Sequence, residues 1–332
     1  MENLESAPQN NISTYHVLAL SGGGYRALYS ATILTELERV IGCPIAQKFD
    51  LICGTSAGGL LALGLASEIP AKKLKETFEK DGKKIFGQRN WLRKMTGFWL
   101  RAKHSNKGLK GVLNDLFKDQ TFSHLKHRVL IPTVNFTTGR GQFFKTPHHP
   151  TFEMDRTLSL KDAALSTSAA PVYFPLYRNS RGVFVDGGLV GNAPGLFGVH
   201  EIQRFIANPN SLIRIRVLSI GTLTIGATIR GNAALDQGIL GWKSDLFDLV
   251  ISAQESSVDY MLKHILQDNY FKIDDQVTPD QSKDVRALDV VTEASTNTLR
   301  DRGMSAAQRA LGDPKFAAFR NHQPSKPVFY GN

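Results

Sequence analysis

Short apolar runs alternate along the chain with stretches in which apolar residues recur every three or four positions. The run His16-Val17-Leu18-Ala19-Leu20 closes on Ser21-Gly22-Gly23-Gly24. Beyond it Leu28, Ile33, Leu34 and Leu37 fall at helical spacing, which predicts a strand, a glycine turn and a helix reaching about Val40. Phe49 to Cys53 is a second short run, followed by Gly54-Thr55-Ser56-Ala57-Gly58-Gly59 and the helix-like Leu60 to Ala66. Further strands are expected at Arg128 to Val134, Gly182 to Val185 and Ile213 to Ile220, and helices at Leu160 to Ser166, Leu246 to Gln267 and Thr298 to Leu311. This alternation predicts an α/β fold with a mainly parallel central sheet and helices on both faces, a three-layer α/β/α arrangement. Ligands of such sheets bind beyond the carboxyl ends of the strands. Both glycine turns lie there, so they are expected to meet at one site.

The 332 residues, 42% of them hydrophobic, suffice for one large core. No linker or repeat divides them, so a single domain over 15–332 is expected behind a polar, flexible tail over 1–14. That tail lacks the basic start and apolar run of a secretory signal, and no segment approaches the ~18 apolar residues of a membrane span. The expectation is a cytoplasmic protein that meets the inner membrane face only peripherally. Two cysteines, Cys43 and Cys53, argue against a disulfide scaffold.

Charge changes the picture more. Of the net +10, nearly all is concentrated between Lys72 and Lys110, where thirteen Lys or Arg face only Glu76, Glu79 and Asp81. Such a stretch suits an anionic partner: a phospholipid surface, a nucleotide or a nucleic acid. Within it Trp91, Leu92, Met95, Phe98 and Trp99 share a helical face, ringed by Arg89, Arg93, Lys94 and Arg101, although Gly97 interrupts the helix. The region at about 72–110 reads as a basic, aromatic-containing insertion or lid, or else as core packing. Arg89, Trp91, Arg93, Lys94, Trp99 and Arg101 are its candidate membrane or activator contacts.

The candidate chemistry sits at the turns. Gly54-Thr55-Ser56-Ala57-Gly58 matches a nucleophile elbow, where serine occupies a strained strand-to-helix turn and its neighbours must be small. The following helix N-terminus favours the anionic intermediate of acyl transfer. Gly22, Gly23 and Gly24 can turn backbone N–H groups into one concavity, as an oxyanion hole or a phosphate site, and Arg26 can fix a carboxylate or a phosphate. Asp186, closing Val183-Phe184-Val185 ahead of Gly187 and Gly188, is a candidate base, and Asp-Gly alone is also a hairpin signal. A triad would need His200, His264 or His322, none of which lies in a glycine-flanked loop. The pair His148-His149 has no further spaced ligands nearby, so no metal or cofactor is expected.

Together these motifs resemble the patatin-like phospholipases from about Tyr15 to about Thr222. The resemblance rests on Gly22-Gly23-Gly24-Tyr25-Arg26, on Gly54 to Gly58 and on Asp186-Gly187-Gly188. It extends to Ser166 to Pro175, similar to the family's Ser-Ala-Ala-Pro segment, and to Gly191-Asn192-Ala193-Pro194; Ala27 departs from the glycine often found after the arginine. It implies a patatin-like fold, a Ser56–Asp186 dyad without histidine, an oxyanion turn at Gly22 to Gly24 with Arg26, Gly54, Gly58, Gly187 and Gly188 in support, and hydrolysis of acyl lipids. Short patatins also resemble bacterial antiviral effectors switched on by a cyclic dinucleotide or oligonucleotide; DNA is not expected as a partner. Two alternatives stay open: a Ser-Asp-His esterase, and a non-catalytic nucleotide or lipid binder.

Overall fold

The computed structural model describes residues 12–87, 102–223, 236 and 245–331. In chain order its elements are β1 (Ser13–Leu20), α1 (Ala27–Ile41), β2 (Leu51–Gly54), α2 (Ala57–Ala66), α3 (Ala71–Phe86), α4 (Lys107–Phe117), β3 (Val129–Asn135), β4 (Arg140–Lys145), α5 (Leu160–Thr167), β5 (Tyr177–Asn179), β6 (Gly182–Asp186), α6 (Gly188–Gly191), α7 (Gly195–Glu201), β7 (Ile213–Ile220), α8 (Asp245–Leu266), β8 (Tyr270–Ile273), α9 (Pro279–Val285), α10 (Glu293–Gly312) and α11 (Phe316–Asn321).

The strands form one sheet in the order β5-β6-β3-β2-β1-β7-β8, with β4 also paired to β3. From β3 through β2, β1 and β7 to β8 the pairing is parallel, while β4, β5 and β6 are antiparallel to their neighbours. Successive strand residues point to opposite faces. Leu18 and Leu20 of β1 therefore pack with α1, α2, α3, α5 and α10, while Val17 and Ala19 pack with Val199 of α7 and Leu262 of α8. The outcome is a mixed, mostly parallel sheet between two helical layers, as the alternation of the sequence predicts.

One detail of the sheet positions the site. Leu130 of β3 pairs with Cys53 of β2, and Thr133 pairs with Asp186 of β6, while β4 lines the other edge of β3 from Leu130 to Asn135. Thus β2 and β6 share one edge of β3. Because one is parallel and the other antiparallel to it, their carboxyl ends run toward each other and stop with only Ile131 and Pro132 between them. Segments 130 residues apart in sequence are brought end to end.

The basic stretch divides. Its first part is α3, whose Leu74, Phe78, Ile85 and Phe86 are buried while lysines face outward, and Gly82 packs directly on the Tyr25 ring. Its last part opens α4. The cationic aromatic helix expected over 89–101, including Arg89, Trp91, Arg93, Lys94, Trp99 and Arg101, lies outside the described residues.

Candidate active site

Ser56 ends the β2 turn with φ 54° and ψ −125°, a conformation that non-glycine residues rarely adopt, and α2 begins at the next residue. The turn is tight because its flanks are bare: a Cβ at Gly54 would stand 2.2 Å from the Gly58 carbonyl oxygen, and one at Gly58 would stand 2.4 Å from that of Leu20. The Ser56 amide donates to Thr167 Oγ1 at 2.9 Å, and that hydroxyl in turn donates to the Pro132 carbonyl at 2.6 Å. The Thr167 carbonyl accepts from the Gly187 amide at 3.1 Å. One fully buried residue at the end of α5 therefore holds the serine turn through its side chain and the strand end that carries Asp186 through its backbone carbonyl.

The Ser56 hydroxyl donates to Asp186 Oδ2 at 2.7 Å, and the Gly188 amide donates to Asp186 Oδ1 at 2.7 Å. Asp186 is 1% exposed, and no cation pairs with it among the described residues. Burial pushes its pKa up from the ordinary 3.8 to about 7, against the smaller opposing pull of the Gly188 amide and the Ser56 hydroxyl. A carboxylate so placed is a far better proton acceptor at neutral pH than a solvated aspartate.

The first glycine turn closes over Ser56, since a Cβ at Gly22 would meet Ser56 Cβ at 3.0 Å. Its three amides are not equivalent. Gly22 donates to the Asn192 carbonyl at 3.2 Å, whereas Gly23 and Gly24 have no acceptor among the described residues and line the same pocket as Ser56. The Gly22 carbonyl accepts from Asn192 Nδ2 at 3.0 Å and from Thr222 Oγ1 at 3.2 Å. Across a trans peptide the carbonyl and the following N–H point in opposite directions, so these two bonds aim the Gly23 N–H away from Asn192 and Thr222. Asn192 is itself held by Glu255 Oε1 at 2.6 Å. Arg26 does not line the pocket; its charge acts on half-buried Glu255, whose pKa desolvation raises to about 7.

Ser56, Asp186, Gly23 and Gly24 share a pocket of about 610 Å³, counted out to its open mouth. Its remaining walls are almost wholly apolar and include Phe78 and Phe86 of α3, Leu109 of α4, Tyr173 and Phe174, and Phe247 and Ile251 of α8. The arrangement can deliver a desolvated hydroxyl, a base in contact with it and unpaired amide donors to an ester with an apolar chain.

The histidines that a triad would need are elsewhere. His200 is exposed on α7 against Phe205, His264 bonds the Tyr260 carbonyl on the surface of α8, and His322 bonds Asp50 at 2.8 Å and stacks on His16. This geometry speaks against the Ser-Asp-His alternative, because Ser56 bonds Asp186 directly while each of the three histidines is engaged elsewhere. No group of three or more metal-ligating side chains occurs among the described residues. Thr167, Asn192 and Thr222 are the positioning residues that sequence reasoning did not assign. The first two stand in the motifs Ser166 to Pro175 and Gly191 to Pro194, and Thr222 carries no local signal.

Comparison with known proteins adds to this geometry. The patatin-like phospholipase family matches residues 18–196. A Pseudomonas aeruginosa protein named cGAMP-activated phospholipase is 66% identical over 96% of this chain and 96% of its own length. A Vibrio cholerae protein of the same name is 36% identical, with 88% of this chain and 90% of the relative covered. The crystal structure of VipD from Legionella pneumophila aligns over 96% of this chain and 68% of its own at 14% identity and a TM-score of 0.48.

Proposed function

Because the chain belongs to the patatin-like phospholipase family, we propose that it cleaves acyl esters of membrane phospholipids with Ser56 as nucleophile and Asp186 as general base. The observation that carries this reading is the 2.7 Å hydrogen bond from Ser56 to a carboxylate that is buried and uncompensated. Asp186 takes the hydroxyl proton as Ser56 Oγ attacks the acyl carbonyl, and the Gly23 and Gly24 amides receive the oxyanion. Protonated Asp186 then returns that proton to the departing alcohol. Water, activated by the same carboxylate, releases the fatty acid from Ser56.

The apolar walls suit an acyl chain rather than a head group. Activation is proposed on the same footing: the Pseudomonas and Vibrio relatives carry cGAMP activation in their names, and this chain is read as a phospholipase switched on by that cyclic dinucleotide in antiviral defence. No helix among the described residues is long and apolar enough to cross a membrane. A peripheral action on the inner membrane face, from the cytoplasm, is proposed on the ground of the phospholipid substrate and the proposed cyclic-dinucleotide activator.

A fluorophosphonate probe tests the catalytic reading. With cGAMP present, it should label one peptide containing Ser56, and Ser56→Ala should abolish both labelling and fatty-acid release. An unlabelled protein that binds nucleotide or lipid tightly without turnover would establish the non-catalytic binder instead.

A further inference from the structure

Helix α8 buries one face and leaves the other bare. Phe247 and Ile251 point into the pocket, and Leu262 and Leu266 into the core beneath the sheet. On the outer side Leu246, Leu249, Tyr260, Met261 and Ile265 are exposed by between 38% and 66%, whereas no other element of the described residues exposes more than one large apolar side chain. Positions 246, 249, 250, 253, 257, 260, 261 and 264 recur at helical spacing along one face, and none is Asp, Glu, Lys or Arg. A surface helix normally turns charge outward, so an uncharged outer stripe five turns long marks an interaction face.

Resting on the ester-hydrolase reading above, we infer that this stripe of α8 is the surface on which the protein sits on a phospholipid bilayer. Two observations select a bilayer over a second copy of the chain. The stripe belongs to the same helix as two pocket walls, Phe247 and Ile251, so a lipid surface that covers it lies one helix away from the apolar space beside Ser56 that an acyl chain has to reach, a proximity for which a second copy of the chain has no use. Complementary charge is also present. Lys83, Lys84, Lys107 and Lys110 are exposed on α3 and α4, the helices whose Phe86 and Leu109 line the pocket too, and exposed cations on helices that wall the same pocket suit anionic head groups.

The test uses the full chain with cGAMP and vesicles of phosphatidylethanolamine and phosphatidylglycerol. Leu249→Glu combined with Met261→Glu alters two exposed positions outside the pocket. It should lower both the vesicle-bound fraction and phospholipid hydrolysis by about tenfold or more, while hydrolysis of a short soluble ester such as p-nitrophenyl butyrate stays at the wild-type rate. Ser56→Ala should bind vesicles like the wild type, which separates docking from chemistry: loss of soluble-ester hydrolysis in the wild type would defeat the catalytic reading and leave the docking result standing. Wild-type vesicle binding by the double variant overturns the proposal. So does a wild-type dimer that the double variant converts to monomer with vesicle binding unchanged, since the stripe would then belong to a second copy.

Discussion

Two buried carboxylates of similar exposure have opposite environments. Glu201, at the end of α7 and 1% exposed, accepts from Lys145 Nζ at 2.7 Å and meets His148 Nε2 at 3.0 Å. An ionised Glu201 can only accept, so His148 Nε2 carries a proton directed at it, and Nδ1 of the ring, whose pKa burial lowers, accepts from the Thr146 hydroxyl, itself an acceptor from the Val129 amide. The Lys145 ammonium lies 4.4 Å from the Phe152 ring centroid and 4.8 Å from that of Phe205. Burial disfavours the Glu201 charge, yet the His148 and Lys145 hydrogen bonds outweigh it and leave its pKa lowered. Asp186 has the same solvent exposure with one amide, one hydroxyl and no cation, and its pKa rises. At equal solvent exposure, it is compensation by Lys145 and His148 that marks Glu201 as structural and the lack of a cation that marks Asp186 as reactive.

The largest effect expected from this contrast is on chemistry. Asp186→Asn keeps the shape and one acceptor oxygen but removes the base, and should lower phospholipid hydrolysis by about 10⁴-fold in a fatty-acid release assay without unfolding the protein. Activity within tenfold of wild type would mean that Asp186 is as structural as Glu201. The converse change comes next. Glu201→Ala strands the Lys145 charge and should cost about 3–5 kcal/mol in urea denaturation while kcat per folded molecule is unchanged. Stability retained with activity lost would invert the comparison.

The elements that sequence patterns reveal are those that are locally consistent. β1, α1, β2 and α2 combine apolar period with glycine punctuation, and Ser56 and Asp186 stand in motifs that name them. Boundaries differ slightly: β1 starts at Ser13 rather than His16, and α10 at Glu293 rather than Thr298. β4, β5 and β8 were not legible because their residues, such as Arg140-Gly141-Gln142-Phe143-Phe144-Lys145, have no alternation of their own and become strands only by pairing with a neighbour. The same holds for the supports of the site. Nothing local tells Thr167 that it will bridge two strand ends, or Thr222 that it will meet Gly22, since both roles exist only once β2, β6 and β7 are side by side in the sheet.

Asn192 probes how far the reactive site depends on such contacts. Asn192→Ala removes one of two bonds on the Gly22 carbonyl and so loosens the Gly23 N–H that faces the pocket. It should reduce kcat by about 10²-fold, the scale of a lost or misaimed oxyanion donor, with KM little changed. Equal loss in kcat and in fluorophosphonate labelling would place the effect on the acylation step. A change in KM alone would assign Asn192 to substrate binding.

The smallest effect is the most specific, because the two carboxylates must respond to pH with opposite sign. Asp186 has a folded pKa of about 7 against an ordinary 3.8, so the folded state keeps its proton longer than the unfolded chain. Its contribution to stability is present below about pH 4 and is lost as pH rises through about 7. Glu201, with its folded pKa lowered, contributes stability above its ordinary value of 4.5 and loses it as pH falls through the folded pKa. Asp186→Asn removes the cost of ionising a buried group, so it should stabilise the protein more at about pH 7.5 than at about pH 5. The expected difference between the two conditions is about 2 kcal/mol, read from paired denaturation curves. Glu201→Gln should show the reverse, its penalty shrinking only in acid. If Asp186→Asn gains nothing between the two conditions, the carboxylate beside Ser56 is compensated after all, and its reactivity needs another source.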